Sequence, residues 1–239
     1  MAKQNFPKLR FCLNKTLDKK IGFVFWEHKR AGIDFGSRIL SLHPQLAKAK
    51  NFSYKQRQLI IDKYVDEYYR YKKKQLNSAI QKAENQWQKI EKQFFLAVSM
   101  IFNHPWPKGN YIGFLSIFDC NPRFLETKTF QFFWQHHRGY LAVISHEMIH
   151  FLFYDYLEKH FPQSKKIPKQ KIWALSEITN CFILNSHFFK NFISQNSGSL
   201  YPDLKELANK LLPIWKTSKN FKIFLSSILE LIQKVDFSY

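Results

Sequence analysis

Between Ser53 and Phe102 the chain repeats apolar residues at a helical interval. Ile61, Val65, Tyr69, Leu76, Ile80, Ala83, Trp87, Ile90, Phe94, Val98 and Ile101 follow one another at steps of three or four, with one longer gap around Lys72. The average step is about 3.6 when Lys72 fills the gap, the period of an α-helix. Because no Pro or Gly interrupts residues 53–102, the pattern predicts one helix of roughly fifty residues, or two with a bend near "YKKKQ". Lys, Gln and Glu occupy the other face. That combination describes a packing helix with a solvated side; a coiled-coil partner surface is the alternative.

Shorter segments follow different patterns. "IGFVFWE" (21–27) predicts a short strand, and a second is expected around 34–41 after a Gly-containing turn. "NHPWPKGN" (103–110) ends the helical pattern. "YIGFLSIF" (111–118) predicts a buried strand, "DCNPR" a turn, and "FLETKTFQFF" (124–133) the second strand of a hairpin. Helices are expected at 139–158, 171–193, 202–211 and 218–234, with a polar, proline-bearing loop at 160–170. No repeat, low-complexity tract or linker divides the chain. The expected architecture is a single α+β domain over 1–239, mostly helical with a small, largely antiparallel sheet. Residues 1–103 would supply strands and the long helix, 110–190 the central core, and 191–239 the C-terminal helices.

Composition narrows the class. A hydrophobic content of 45% with 18% aromatic residues belongs to a folded chain. No window of eighteen uninterrupted apolar residues suggests a membrane span, and the N-terminal stretch has no apolar core or small-residue cleavage site, so a cytoplasmic location is expected. Cys12, Cys120 and Cys181 are scattered and odd in number, which points to neither a disulfide framework nor a cysteine zinc site. The formal charge of +19 invites a nucleic-acid or anionic-surface partner. Lysines spread over the length, however, as a general compositional bias would leave them.

Chemistry concentrates in "YLAVISHEMIHFLFYDYL" (140–157), where two histidines and a glutamate interrupt an otherwise apolar helical segment. Burying such groups is costly unless they are paired or bind something. Positions i and i+4 share a helix face, so His146 and His150 can present two imidazoles to one ion. Glu147 points to one side, where it can reach a metal-bound water without being a ligand. The pattern His-Glu-x-x-His arises by chance about 0.014 times in a chain of this composition. A protein zinc site needs a third ligand. His160 lies off the face of the first pair, whereas Glu177 stands alone in the apolar helical segment "IWALSEITNCFIL". A metzincin continuation would require Gly at 153 and His at 156, but the chain has Phe153 and Tyr156.

"HEMIH" followed by "WALSE" resembles the gluzincin metallopeptidases, the thermolysin-like and aminopeptidase-like group, over about residues 110–190. The resemblance implies His146, His150 and Glu177 as zinc ligands and Glu147 as general base. It departs from the family pattern in three places. Trp173 is one residue further from the glutamate, Ile178 replaces a glycine, and Cys181 stands where an aspartate is usual. The carboxylate that orients a ligating histidine must therefore come from elsewhere, and Asp155 is a candidate. By the same resemblance "LETKTFQFF" would form an open sheet edge that binds extended peptide, and Tyr201 or His187 would stabilise the oxyanion. His136 and His137 are expected at the surface, while His28, His43 and His104 carry no signal. The expected function is that of a cytoplasmic zinc metallopeptidase acting on peptides or proteins. The alternative is a basic nucleic-acid-binding or scaffold protein with a structural or vestigial metal site.

Overall fold

The computed structural model describes residues 6–193 and 200–234. It divides into two compact units: a sheet unit of residues 8–88 and 109–143, and a helical unit of 1–7, 89–108 and 144–239. Helices dominate, and the strands are few and short, so the α+β class holds. Among the described residues no helix is long and apolar enough to cross a membrane.

The sheet unit begins with β1 (Leu9–Leu13), a strand without a strong sequence signal. Residues 21–27 are helical, contrary to the strand expected there. Asn14 caps α1 (Lys15–Val24) by accepting from the Leu17 amide, and a 3-10 turn carries the chain through Glu27. Tertiary packing overrides the strand preference of "FVFW": α1 presses so closely on its neighbours that a Cβ on Gly22 would lie 2.6 Å from the Phe118 ring. A two-residue hairpin, β2 (Lys29–Arg30) and β3 (Ile33–Asp34), turns at Ala31 and Gly32, both at positive φ. The second expected strand is also a helix, α2 (Phe35–Leu42), because the Asp34 side chain caps it at the Ser37 amide.

The long helical pattern is realised as α3 (Tyr54–Tyr71) and α4 (Lys73–Phe102), with the break at Lys72. Ser53 and Gln56 form the capping box that starts α3. Ile61, Val65, Leu76, Ala83, Trp87, Phe94 and Val98 of the predicted stripe are buried.

Strand order corrects the expected hairpin. After β4 (Tyr111–Ser116) the chain turns at Asn121, returns as the two-residue β5 (Arg123–Phe124), and turns again through Lys128 into β6 (Thr129–Phe133). The sheet order is β1-β4-β6-β5, with β4 parallel to both β1 and β6 and only β5 antiparallel. The sheet is therefore mixed rather than largely antiparallel. In its middle row Phe11, Gly113 and Phe130 stand side by side, and a Cβ on Gly113 would meet the two rings at 2.8 and 2.9 Å.

The helical unit contains the end of α4, most of α5 (Tyr140–His160), then α6 (Lys169–Leu184), α7 (Lys205–Thr217) and α8 (Phe221–Lys234). α6 stops nine residues short of the expected 193, and α7 continues through Pro213 to Thr217 rather than ending at 211. Aromatic pairs bind these helices, including Phe102 with Phe221, Phe94 with Phe189, and Trp215 with Phe224.

Candidate metal centre

α5 is apolar on nearly every side, which makes it a buried helix. His146 and His150 lie one turn apart on it, and their ring centroids are 4.6 Å apart. α6 is buried almost throughout from Ile172 to Leu184 and delivers Glu177 to the same place. Two polar ties align the helices on either side of that glutamate. The Tyr154 hydroxyl lies 3.2 Å from Ser176 Oγ, and Asn180 Nδ2 donates to the His146 carbonyl at 2.8 Å. Residue numbers rise on α6 as they fall on α5, so the two helices run antiparallel here.

Three ligand atoms converge. His146 Nε2 is 3.0 Å from His150 Nε2 and 3.0 Å from Glu177 Oε2, and His150 Nε2 is 3.4 Å from Glu177 Oε1. An imidazole nitrogen presents either one proton or one lone pair, never both. With the Glu177 carboxylate ionised and accepting only, hydrogen bonds can therefore satisfy at most two of these three contacts; the third sets proton against proton or lone pair against lone pair. A central cation satisfies all three. Tetrahedral bonds of about 2.0–2.1 Å place ligand atoms about 3.3 Å apart, close to the separations found. The donors thus fit a small divalent ion such as zinc, and they form the one group of this kind among the described residues. His150 is fully buried and Glu177 is 2% exposed, whereas the His146 side chain is 17% exposed and marks the open side.

Glu147 is buried on the same helix, adjacent in sequence to the first ligand candidate. The other candidates are placed elsewhere. His160 is exposed and faces His104, 3.1 Å away. Asp155 does not orient a site histidine: it pairs with His104 at 2.7 Å and with Lys159 at 2.8 Å. Tyr201 packs edge-on against Trp173, one turn before Glu177 on α6, and His187 is exposed on the turn after that helix. His136 is buried, contrary to expectation. Its Nδ1 accepts from the Arg138 amide, Asp119 stands 4.0 Å away, and burial pushes its pKa down to about 4. The supposed open edge is closed as well. β6 pairs with β4 on one side and β5 on the other, the Gln131 amide donates to the Pro122 carbonyl, and the Phe133 amide donates to Asn121 Oδ1.

Tyr154 and Asn180 are not among the residues that the sequence pattern singles out. Tyr154 had a usable signal, since it extends the row His146–His150 by another four residues. Asn180 had only its polarity within an apolar run. Comparison with family models, with curated proteins and with solved structures finds no match.

Proposed function

We propose that the protein is a zinc-dependent hydrolase of peptide bonds, with His146, His150 and Glu177 as ligands and Glu147 as general base. The observation carrying this reading is the set of contacts at 3.0, 3.0 and 3.4 Å among two imidazole nitrogens and one carboxylate, which hydrogen bonding to an ionised Glu177 cannot satisfy together. Zinc, when bound, supplies Lewis acidity and acidifies water towards neutrality. The chain's own residues supply the rest. Glu147 takes the proton of the attacking water and returns it to the departing amine, as a carboxylate held near a cation can do in either direction. Asn180 and Tyr154 hold α5 against α6, so the ligand set is organised before an ion arrives. Glu177 contributes one negative charge to a pair of neutral imidazoles, leaving a bound divalent ion with net positive charge to polarise a carbonyl.

Elemental analysis of the purified chain, followed by digestion of an unfolded protein substrate, tests the reading. About one equivalent of zinc is expected in the wild type, and substantially less after His146→Ala, His150→Ala or Glu177→Ala. Glu147→Gln should keep the ion and lose at least about a hundredfold in hydrolysis, the scale of general-base catalysis. A chain that takes up no zinc, or a Glu147→Gln variant as active as wild type, would overturn it.

A further inference from the structure

The sheet unit carries an open cleft of about 580 Å³, lined wholly by residues of its own unit and by none of the metal-centre residues. Lys74, Gln75, Ser78, Ala79 and Lys82 of α4 line one side, and Trp134, Gln135 and Tyr140 line the other. Lys74, Ser78 and Lys82 fall at i, i+4 and i+8, on one helix face. The aromatic side is prearranged, because the Tyr140 hydroxyl donates to the Trp134 carbonyl at 2.9 Å. Trp134 and Tyr140 are half-buried, while Lys74, Lys82 and Gln135 are exposed.

Charge is unevenly distributed over the chain. The sheet unit holds 21 Lys and Arg against nine Asp and Glu, a net +12 of the total +19. Five of those nine acids are committed elsewhere: Asp66 pairs with Lys15 and Lys19, Asp34 with Lys29, Asp119 with Arg38, Glu27 with Arg57, and Asp18 is buried. Among the described residues no ion pair involves Lys74 or Lys82.

We propose that this cleft binds single-stranded nucleic acid, with Lys74 and Lys82 on the phosphates and Trp134 and Tyr140 as the base-stacking side. Two cations eight residues apart on a helix are separated by about 12 Å, the length of three to four stacked nucleotides at about 3.4 Å each. Side-chain amides and a hydroxyl from Gln75, Gln135 and Ser78 can engage sugar, phosphate or base edges without demanding a sequence. An acidic peptide would satisfy the lysines but leave the aromatic side unused; a nucleotide uses both, its phosphate on the lysines and its base on the rings.

Fluorescence anisotropy of the full chain with a labelled oligothymidylate, from about 50 to about 200 mM salt, tests the proposal. Wild type should bind at low salt and weaken steeply as salt rises. K74E/K82E should bind at least about tenfold more weakly and flatten the log–log salt slope by about 1.4, two single-strand phosphate contacts. Trp134→Ala should weaken binding about 5- to 150-fold, with Trp134→Phe retaining most of it. The control pair K216E/K219E, which changes charge equally on exposed positions of the helical unit, should bind as wild type. If K74E/K82E behaves like that control, if polyglutamate displaces the oligonucleotide equally well per charge, or if nothing binds at 50 mM salt, the assignment is wrong. These readouts require no metal and no hydrolysis, so their failure is separable from failure of the peptidase reading.

Discussion

Ile117 is gripped at both ends of its backbone by buried side chains. Its amide donates to Asp18 Oδ2 at 3.2 Å, and its carbonyl accepts from His43 Nε2 at 2.9 Å. That carbonyl fixes the His43 tautomer, so Nδ1 accepts from the Tyr64 hydroxyl at 2.7 Å. Asp18 accepts three further hydrogen bonds, from Ser116, Tyr69 and Gln131. Burial nevertheless lifts Asp18 to about 6, while burial pushes His43 down to about 4. The two therefore oppose each other. The Asp18 contribution is complete below its ordinary value near 3.8 and is lost as pH rises through about 6. The His43 contribution is complete above its ordinary value near 6.5 and is lost as pH falls towards 4. Each is worth about 3 kcal/mol. Denaturant unfolding at several pH values should show Asp18→Asn gaining stability relative to wild type as pH rises from 4 to 6.5, and His43→Gln losing it; parallel curves would refute the assignment. At the metal centre, Asn180→Ala frees the His146 carbonyl from α6, and zinc affinity should drop about 10- to 100-fold by chelator competition. An unchanged affinity would mean that the tie does not hold the ligand.

The central strand survives between its neighbours because it lacks a side chain in the right row. Gly113→Ala would drive a methyl into Phe11 and Phe130, and a loss of about 1–3 kcal/mol in unfolding free energy is expected. A neutral substitution would show that the rings can give way. How much of an element is legible depends on where its stabilisation comes from. α3 and α4 declare themselves because one face is consistently apolar and Ser53 caps the start. α1 does not, since "FVFW" favours a strand locally while Asn14 and the close approach allowed by Gly22 decide otherwise. The parallel pairing of β4 and β6 depends on a turn through Lys128 at positive φ, a conformation that no glycine advertises. The candidate metal centre is the opposite case. The spacing of His146 and His150 is periodic chemistry, and Glu177 is conspicuous as an acid in an apolar run, whereas the ties made by Tyr154 and Asn180 depend on which helix packs alongside.

The two units differ in what they present to a partner. The helical unit carries a net +7 and holds the candidate metal ligands; the sheet unit carries +12 and the cleft lined by Lys74 and Lys82. The total charge was visible in the composition, but its unequal division was not, because the sheet unit is assembled from two stretches separated in sequence. An ion that binds only the folded helical unit stabilises it by mass action, by about 4 kcal/mol at a thousand times its dissociation constant. Zinc should therefore raise the thermal unfolding midpoint and slow amide exchange in α5 and α6. The His150→Ala variant should show neither effect, and a wild type equally indifferent to zinc and chelator would count against the centre.

The unequal exposure of the two imidazoles dictates the route of exchange at such a centre. A reagent arriving from bulk water reaches the 146 ring and not the 150 ring, so acylation by diethyl pyrocarbonate should mark the first and spare the second. Departure of an ion would begin by letting go of that outer imidazole, with the inner imidazole and the carboxylate as its last anchors.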